Sequence, residues 1–443
     1  MRFPTAITLL LGTIGRAAPS HFHKQPLLDL GAERTGPIPP SQDPWYTAPS
    51  GFESTAPGTI LRMRSDPSNI TKVASKCSSA YNILYRSTNA AYQPSWAVTT
   101  LLISSIADEL NGTQPRSKLL SYQIPYNTAN VDQSPSYTLS LEKVDNSQGG
   151  ATSPLVDINN MLDRGWAVNV PDHEGPLAAF VAGPREGYAV LDSVRAVLSS
   201  ERIPGGVNGT SYAMWGYSGG SIASMFAAEL QAPYAPELTF AGMAVGGLVT
   251  NLTETYDLKN ASPWAYLFPN MLLGVTAEFP AARQYLVSQL KVEGPYNATG
   301  FQAVLNLNTS DAQATYATQN ISDYFVSGRA ILDAPELSPV LGNNAYVGYH
   351  GIPQMPVFSY KAIHDDFATI QASDQVLERF CAVGANVMNQ RNTVGDHISE
   401  ISNGQPRALK WLDSALSGTL VQERTVFGCK TEDVTVNTTQ GNA

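Results

Sequence analysis

From about residue 75 the chain alternates two kinds of hydrophobic pattern. Short apolar runs predict strands at "SAYNILYRSTNA" (79–90), "SWAVTTLLIS" (95–104), "SKLLSYQIPY" (117–126) and "WAVNVPDHEG" (166–175). The same holds for "SYAMWGYSGG" (211–220), "LTFAGMAVGG" (238–247) and "MPVFSYKAI" (355–363). Segments of helical period lie between them. "SPLVDINNMLDRG" (153–165) places Leu155, Ile158 and Leu162 on one face and closes on Gly165, a residue suited to a C-cap. "EGYAVLDSVRAVLSS" (186–200) and "SIASMFAAELQ" (221–231) also read as helices. Strands alternating with helices predict an α/β fold on a mostly parallel, covered sheet.

The rhythm breaks between residues 248 and 350, where apolar patches have helical character. The pattern therefore predicts a core in two parts, 61–247 and 351–443, the second carrying the C-terminal tail, with a helical cap inserted at 248–350. Within the insertion, "WAYLFPNMLLGV" (264–275) suits either cap core or a lipid-contacting lid. Residues 18–60 are rich in Pro, Ser and Gly and read as an irregular arm. Residues 1–17 have the form of a secretory signal peptide: Arg2, an apolar stretch, then Gly15 and Ala17 before the cleavage point. That stretch is too short to span a bilayer, and no later segment is long and apolar enough.

Composition supports an extracellular reading. Only 14% of the 443 residues are charged, against roughly 25% in soluble proteins generally. The net charge is −10 and no basic block exists, which argues against nucleic acid and an anionic membrane surface as partners, and the lack of a long apolar segment argues against integral membrane association. Glycosylation triplets begin at Asn69, Asn111, Asn208, Asn251, Asn260, Asn297, Asn308, Asn320 and Asn437. The proline after "NAS" makes Asn260 a poor acceptor. There are three cysteines. Secretion favours a bridge, and Cys381 with Cys429, both in the C-terminal part, form the favoured pair, leaving Cys77 over.

The chemistry centres on "GYSGG", a G-x-S-x-G sequence at residues 216–220 between a predicted strand and a predicted helix. That context suits a nucleophile elbow, in which small residues permit a tight reversal and the helix N-terminus favours developing negative charge on Ser218. A serine needs a base. With the chain order Ser, acid, His, the histidines at 21, 23 and 173 come too early, and His397 in "NTVGDHISEIS" is the best placed. The acid falls at the exit of the strand "MPVFSYKAI", where Asp365 and Asp366 are adjacent and spacing does not separate them. The amide after the nucleophile, Gly219, provides one oxyanion donor. A second donor comes from either "YQIPYNTANV" or "VPDHEGP". No metal-binding pattern is present, since the three potential ligands of "DHE" (172–174) cannot converge on one ion, and no nucleotide motif occurs. Neither a metal nor another cofactor is expected.

Taken together, "ILYRSTNA", "SYQIPYNTANVDQSPSY", "GWAVNVPDHEGP", "REGYAVLDSVRAV", "GYSGG", "FSYKAIHDD", "CAVGANV" and "GDHISE" resemble the fungal secretory lipases of the LIP class, lipase A type. The resemblance covers roughly residues 60 to 430. It implies an α/β-hydrolase fold with an inserted helical cap and hydrolysis of carboxylic esters without a cofactor. Carried over by position, it implies Ser218 as nucleophile, Asp365 as acid, His397 as base, Gly219 and Asn127 as oxyanion donors, and a Cys381–Cys429 disulfide. Asn127 departs from the family pattern, which has aspartate there. The substrate is then a lipid or small-molecule ester. The family includes triacylglycerol lipases and esterases that deacetylate fungal secondary metabolites, such as trichothecene C-3 acetyl esters. A hydrolase fold retained only for binding is the reading from another class, and three filled triad positions argue against it.

Overall fold

The computed structural model describes residues 37–106, 116–141, 153–420 and 428–438. The segment 1–17, read as a signal peptide, and Asn111 lie outside them. Ten strands form one sheet in the order β1-β2-β3-β5-β4-β6-β7-β8-β9-β10. These are β1 (Ile60–Ser65), β2 (Cys77–Thr88), β3 (Pro94–Ser104), β4 (Ser117–Gln123), β5 (Ala167–Pro171), β6 (Thr210–Tyr217), β7 (Gly242–Gly246), β8 (Val357–Ala362), β9 (Val387–Asn392) and β10 (Lys430–Val434). β1, β2, β3 and β5 pair antiparallel, and every pairing from β5 through β4 to β10 is parallel.

Period-two alternation assigns side chains to opposite faces. On β6, Met214 packs with α2 (Gly183–Ser199) and α3 (Gly219–Tyr234). Its neighbours Ala213 and Trp215 pack on the other face with α1 (Pro154–Leu162) and the helix Ser399–Leu416. β5 and β8 are buried at every position, as a parallel sheet covered on both sides requires. α1 ends near Gly165, whose φ of 74° and N–H to Leu162 close the turn.

Between β7 and β8 the described chain contains helices, 3-10 turns and two isolated bridges. α4 (Leu252–Lys259), α5 (Leu267–Val275), α6 (Pro280–Ser288), α7 (Thr309–Tyr316) and α8 (Ser338–Asn344) lie here. Every residue of α5 is buried, and its Phe268, Leu272 and Leu273 share one hydrophobic cluster with α2 and α3. After β8 come α9 (Ile370–Ala382) and, beyond β9, α10 (Ser399–Leu416).

Three strands differ from the sequence pattern, among them β9, whose "VMNQRN" is mostly polar and only partly buried. β1 lies within "ILRMRS", where apolar and basic residues alternate at a sheet edge without a hydrophobic run. β10 occupies part of the C-terminal tail, and "KTEDV" is almost entirely polar because it too is an edge strand, paired only to β9. Cys381, near the end of α9, is bonded to Cys429, which immediately precedes β10. Cys77 is reduced and half-buried, and burial pushes its thiol up to about 11.

Candidate active site

The turn from β6 to α3 holds Ser218 in an unusual backbone conformation, φ 52° and ψ −119°. Such a conformation is costly for a non-glycine residue and persists only where its surroundings enforce it. Here Ser218 N–H donates to Gly246 O on β7 at 3.0 Å. The glycines on either side make the reversal possible: a Cβ at Gly216 would stand 2.1 Å from Gly220 O, and one at Gly220 would stand 1.9 Å from Gln123 O. Ser218 therefore sits at the C-terminal edge of the sheet with its hydroxyl directed away from β6.

Three loops converge on that hydroxyl. His397 Nε2 lies 2.8 Å from Ser218 Oγ, and His397 Nδ1 lies 2.8 Å from Asp365 Oδ2. With Nδ1–H donating to the carboxylate, Nε2 is the acceptor for the serine proton. Asp365 is held in turn by the amides of Phe367 and Ala368, each donating to Oδ1 at 2.9 Å. Burial alone would raise its carboxyl, but the charges of His397 and Lys361 with these hydrogen bonds hold it well below the usual carboxylate range. The neighbouring Asp366 reaches the same histidine differently, Oδ1 accepting from His397 N–H at 3.2 Å. Tyr217 Oη–H donates to His397 O at 2.6 Å. The rings of Phe367 and Trp264 lie 5.1 and 5.7 Å from the imidazole.

The loop after β4 brings Asn127 to a cavity beside Ser218. Its φ is +48°, a conformation that asparagine tolerates better than most residues. A Cβ on Gly219 would fall 1.9 Å from Asn127 Oδ1, so the side-chain amide lies directly against the first residue of α3. The Gly219 N–H, at a helix N-terminus, has no intrahelical acceptor. Both residues border a narrow apolar cavity with Ser218, Ile222, Phe268 and Met271. Its volume is about 10 Å³, close to what one water needs. Residues 265–275 are therefore buried, with Leu267, Phe268 and Met271 lining the cavity beside Ser218.

The alternative loop, "VPDHEGP", lies beneath the Asn127 loop and does not line this cavity. Glu174 N–H donates to Tyr126 Oη at 2.7 Å, and His173 Nε2–H donates to Ile124 O at 3.1 Å. The amides of Thr128 and Asn127 approach the Glu174 carboxylate without completing a hydrogen bond to it. Burial is the main cause of the altered acidity in this cluster. It pushes Asp172 up to about 7, Glu186 up to about 8 and Glu174 well above the usual range, and His173 down to about 4. Among the described residues no His, Cys, Asp or Glu group has metal-binding geometry.

Sequence reasoning missed Lys361, Asn270 and Trp264. Asn270, buried on α5, accepts from Ala129 N–H at 2.9 Å and so ties the cap to the Asn127 loop. Lys361 is a cation within the fully buried strand β8, a placement that was itself a signal. Trp264 carried no signal, because only tertiary packing brings it to His397.

A strained strand–turn–helix serine at the edge of a mostly parallel sheet, interrupted by a helical insertion, defines an α/β-hydrolase. The chain matches the secretory lipase family over residues 151–423 and belongs to that family. It is 41% identical to trichothecene C-3 esterase of Fusarium sporotrichioides, over 100% of this chain and 95% of the relative. It is 33% identical to lipase A of Arthroderma benhamiae, over 98% of this chain and 90% of that one. The structure of Candida antarctica lipase A in its closed state matches with a TM-score of 0.76 and 26% identity, over 89% of both chains. The protein is thus an enzyme of the lipase and esterase class.

Proposed function

We propose that this chain is a secreted serine esterase in which Ser218, His397 and Asp365 form the catalytic triad. The continuous hydrogen-bond path from Ser218 Oγ through the imidazole to Asp365 carries this reading. His397 takes the proton of Ser218 as Oγ attacks the ester carbonyl. Gly219 N–H and the Asn127 amide bind the oxyanion, and Asp365 stabilises the imidazolium. His397 then protonates the leaving alcohol. Water, activated by the same histidine, hydrolyses the acyl-enzyme and regenerates Ser218. The complete triad argues against a fold kept only for binding.

The substrate reading favoured here is a short acyl ester of a bulky alcohol, as in an acetylated terpenoid, over a long-chain triglyceride. Greater identity to an esterase named for a trichothecene than to a named lipase supports this choice, and the cavity beside Ser218 is apolar. Residues 248–350 act as the cap that shapes this cavity, and residues 1–17 as a cleaved signal peptide. Among the described residues, exposed Asn69 and Asn208 are the most accessible glycan acceptors. Asn260 is the least suited, its amide nitrogen donating to Asn320 Oδ1 at 2.6 Å. Rates on p-nitrophenyl esters of increasing chain length, a triglyceride emulsion and an acetylated terpenoid test the substrate. Preference for the acetyl esters is expected; preference for long chains at an interface would move the assignment to lipase.

A further inference from the structure

Lys361 is a lysine where a parallel sheet normally holds an aliphatic side chain. It lies in β8 with 1% of its side chain exposed. Its ammonium has two oxygen partners: it donates to Leu248 O at 2.8 Å and sits 3.2 Å from Asp365 Oδ2. Asp365 Oδ2 is also the atom that accepts from His397 Nδ1. One carboxylate oxygen therefore serves the buried Lys361 ammonium and the imidazole together, while the other oxygen serves two backbone amides.

We propose, on the triad reading above, that Lys361 is a positioning residue that shares Asp365 Oδ2 with His397 and thereby limits how strongly the carboxylate stabilises the imidazolium. The reasoning is electrostatic. Without Lys361 the full negative charge of Asp365 would act on the imidazole in a buried site, favouring its protonated form in the resting enzyme and removing the base. With Lys361 the carboxylate is already paired, so less of its charge acts on the imidazole. The ammonium also holds Asp365 as an anion against burial, which keeps the Nδ1–H tautomer in place. The other charged groups acting here are Asp374 on α9, which acts on Lys361, and Glu400 on α10, which acts with Asp365. Tyr217, at the end of β6, is buried near Asp365 and Glu400. Asp374 accepts from Arg391, and Glu400 is paired with Arg407, which leaves Lys361 as the cation paired directly with Asp365.

The test is the pH dependence of kcat/KM for p-nitrophenyl acetate with Lys361→Gln and Lys361→Met, beside wild type and Ser218→Ala. Gln keeps a donor for Leu248 O without the charge; Met removes both. The proposal expects the acidic limb to move to higher pH by about one unit in both variants. A residue that only supports the fold would lower the plateau and the melting temperature without moving the limb. An unmoved limb in a folded variant overturns the proposal, and so does failure of both variants to fold. If Met alone fails to fold, the Gln variant decides. Retained turnover in Ser218→Ala would instead sink the underlying triad reading, so the two failures are distinguishable.

Discussion

Asp366 and His397 are joined through the backbone: Asp366 Oδ1 accepts from the His397 amide at 3.2 Å, while the adjacent Asp365 binds the imidazole. The two carboxylates hold one histidine in complementary ways, one fixing the loop and the other the ring. Asp366 Oδ2 also lies 3.4 Å from the Trp264 indole nitrogen, which donates to it from the cap. Their substitutions should therefore differ sharply. Asp365→Asn should lower kcat by on the order of 10⁴-fold through the wrong imidazole tautomer. Asp366→Ala should cost about tenfold, by loosening the loop. Single-turnover rates at saturating ester check the ordering; equal losses would contradict the division of roles.

An asparagine amide can donate without a proton from solution, whereas an aspartate must first be protonated. Asn127→Ala should reduce kcat by about 10²-fold, the cost of one oxyanion donor. Asn127→Asp should lose activity progressively as pH rises from about 5 to 8, when an anion would face the oxyanion. Parallel pH profiles for Asn127→Asp and wild type would remove Asn127 from the oxyanion site.

Much of the site was legible because its signals are local. The small residues around Ser218 announce the elbow, and chain order alone directs attention to His397. Spacing does not separate Asp365 from Asp366, since both occupy the same strand exit; the family resemblance points to Asp365, and in the fold Asp365 reaches the ring and Asp366 the amide of His397. Strands β2 to β8 were equally readable from apolar runs, whereas β9 was not, its "VMNQRN" being mostly polar. β1 and β10 were not, because an edge strand with one neighbour needs no continuous hydrophobic face and "KTEDV" has none. Asn270 and Trp264 escaped for a related reason: their roles exist only when the insertion folds back over the sheet.

The buried acids beneath the Asn127 loop predict a stability that falls as pH rises. Glu186 is raised to about 8 and Asp172 to about 7 in the folded protein, whereas in the unfolded chain both titrate near about 4. Their contribution is fully present below about pH 4 and is lost as pH rises through the folded values. Asp365 acts oppositely, since its lowered carboxyl contributes above the unfolded value and loses that contribution only in acid. Between pH 5 and 8 the raised acids outweigh His173, whose lowered value acts oppositely, and stability should fall by several kcal/mol. Calorimetry at the two pH values should show the lower melting temperature at pH 8, with the difference reduced in Glu186→Gln. The reverse slope would contradict the assignment.

The Cys381–Cys429 bond closes a loop with a sequence separation of 48 residues. Chain entropy alone assigns such a loop about 4 kcal/mol of stabilisation. The double variant Cys381→Ser, Cys429→Ser should therefore unfold at lower denaturant concentration while retaining turnover at 25 °C, because the bond anchors β10 at the far sheet edge. Lost turnover in the folded variant would show that this edge supports the site more directly.

The central claim is that Ser218 attacks the ester carbonyl. Intact-protein and peptide mass spectrometry after reaction with a fluorophosphonate tests it most directly. The account predicts one adduct, on the peptide containing Ser218, formed in step with the loss of esterase activity and absent from Ser218→Ala. Full inactivation with the adduct on another residue, or turnover that survives in Ser218→Ala, would contradict it.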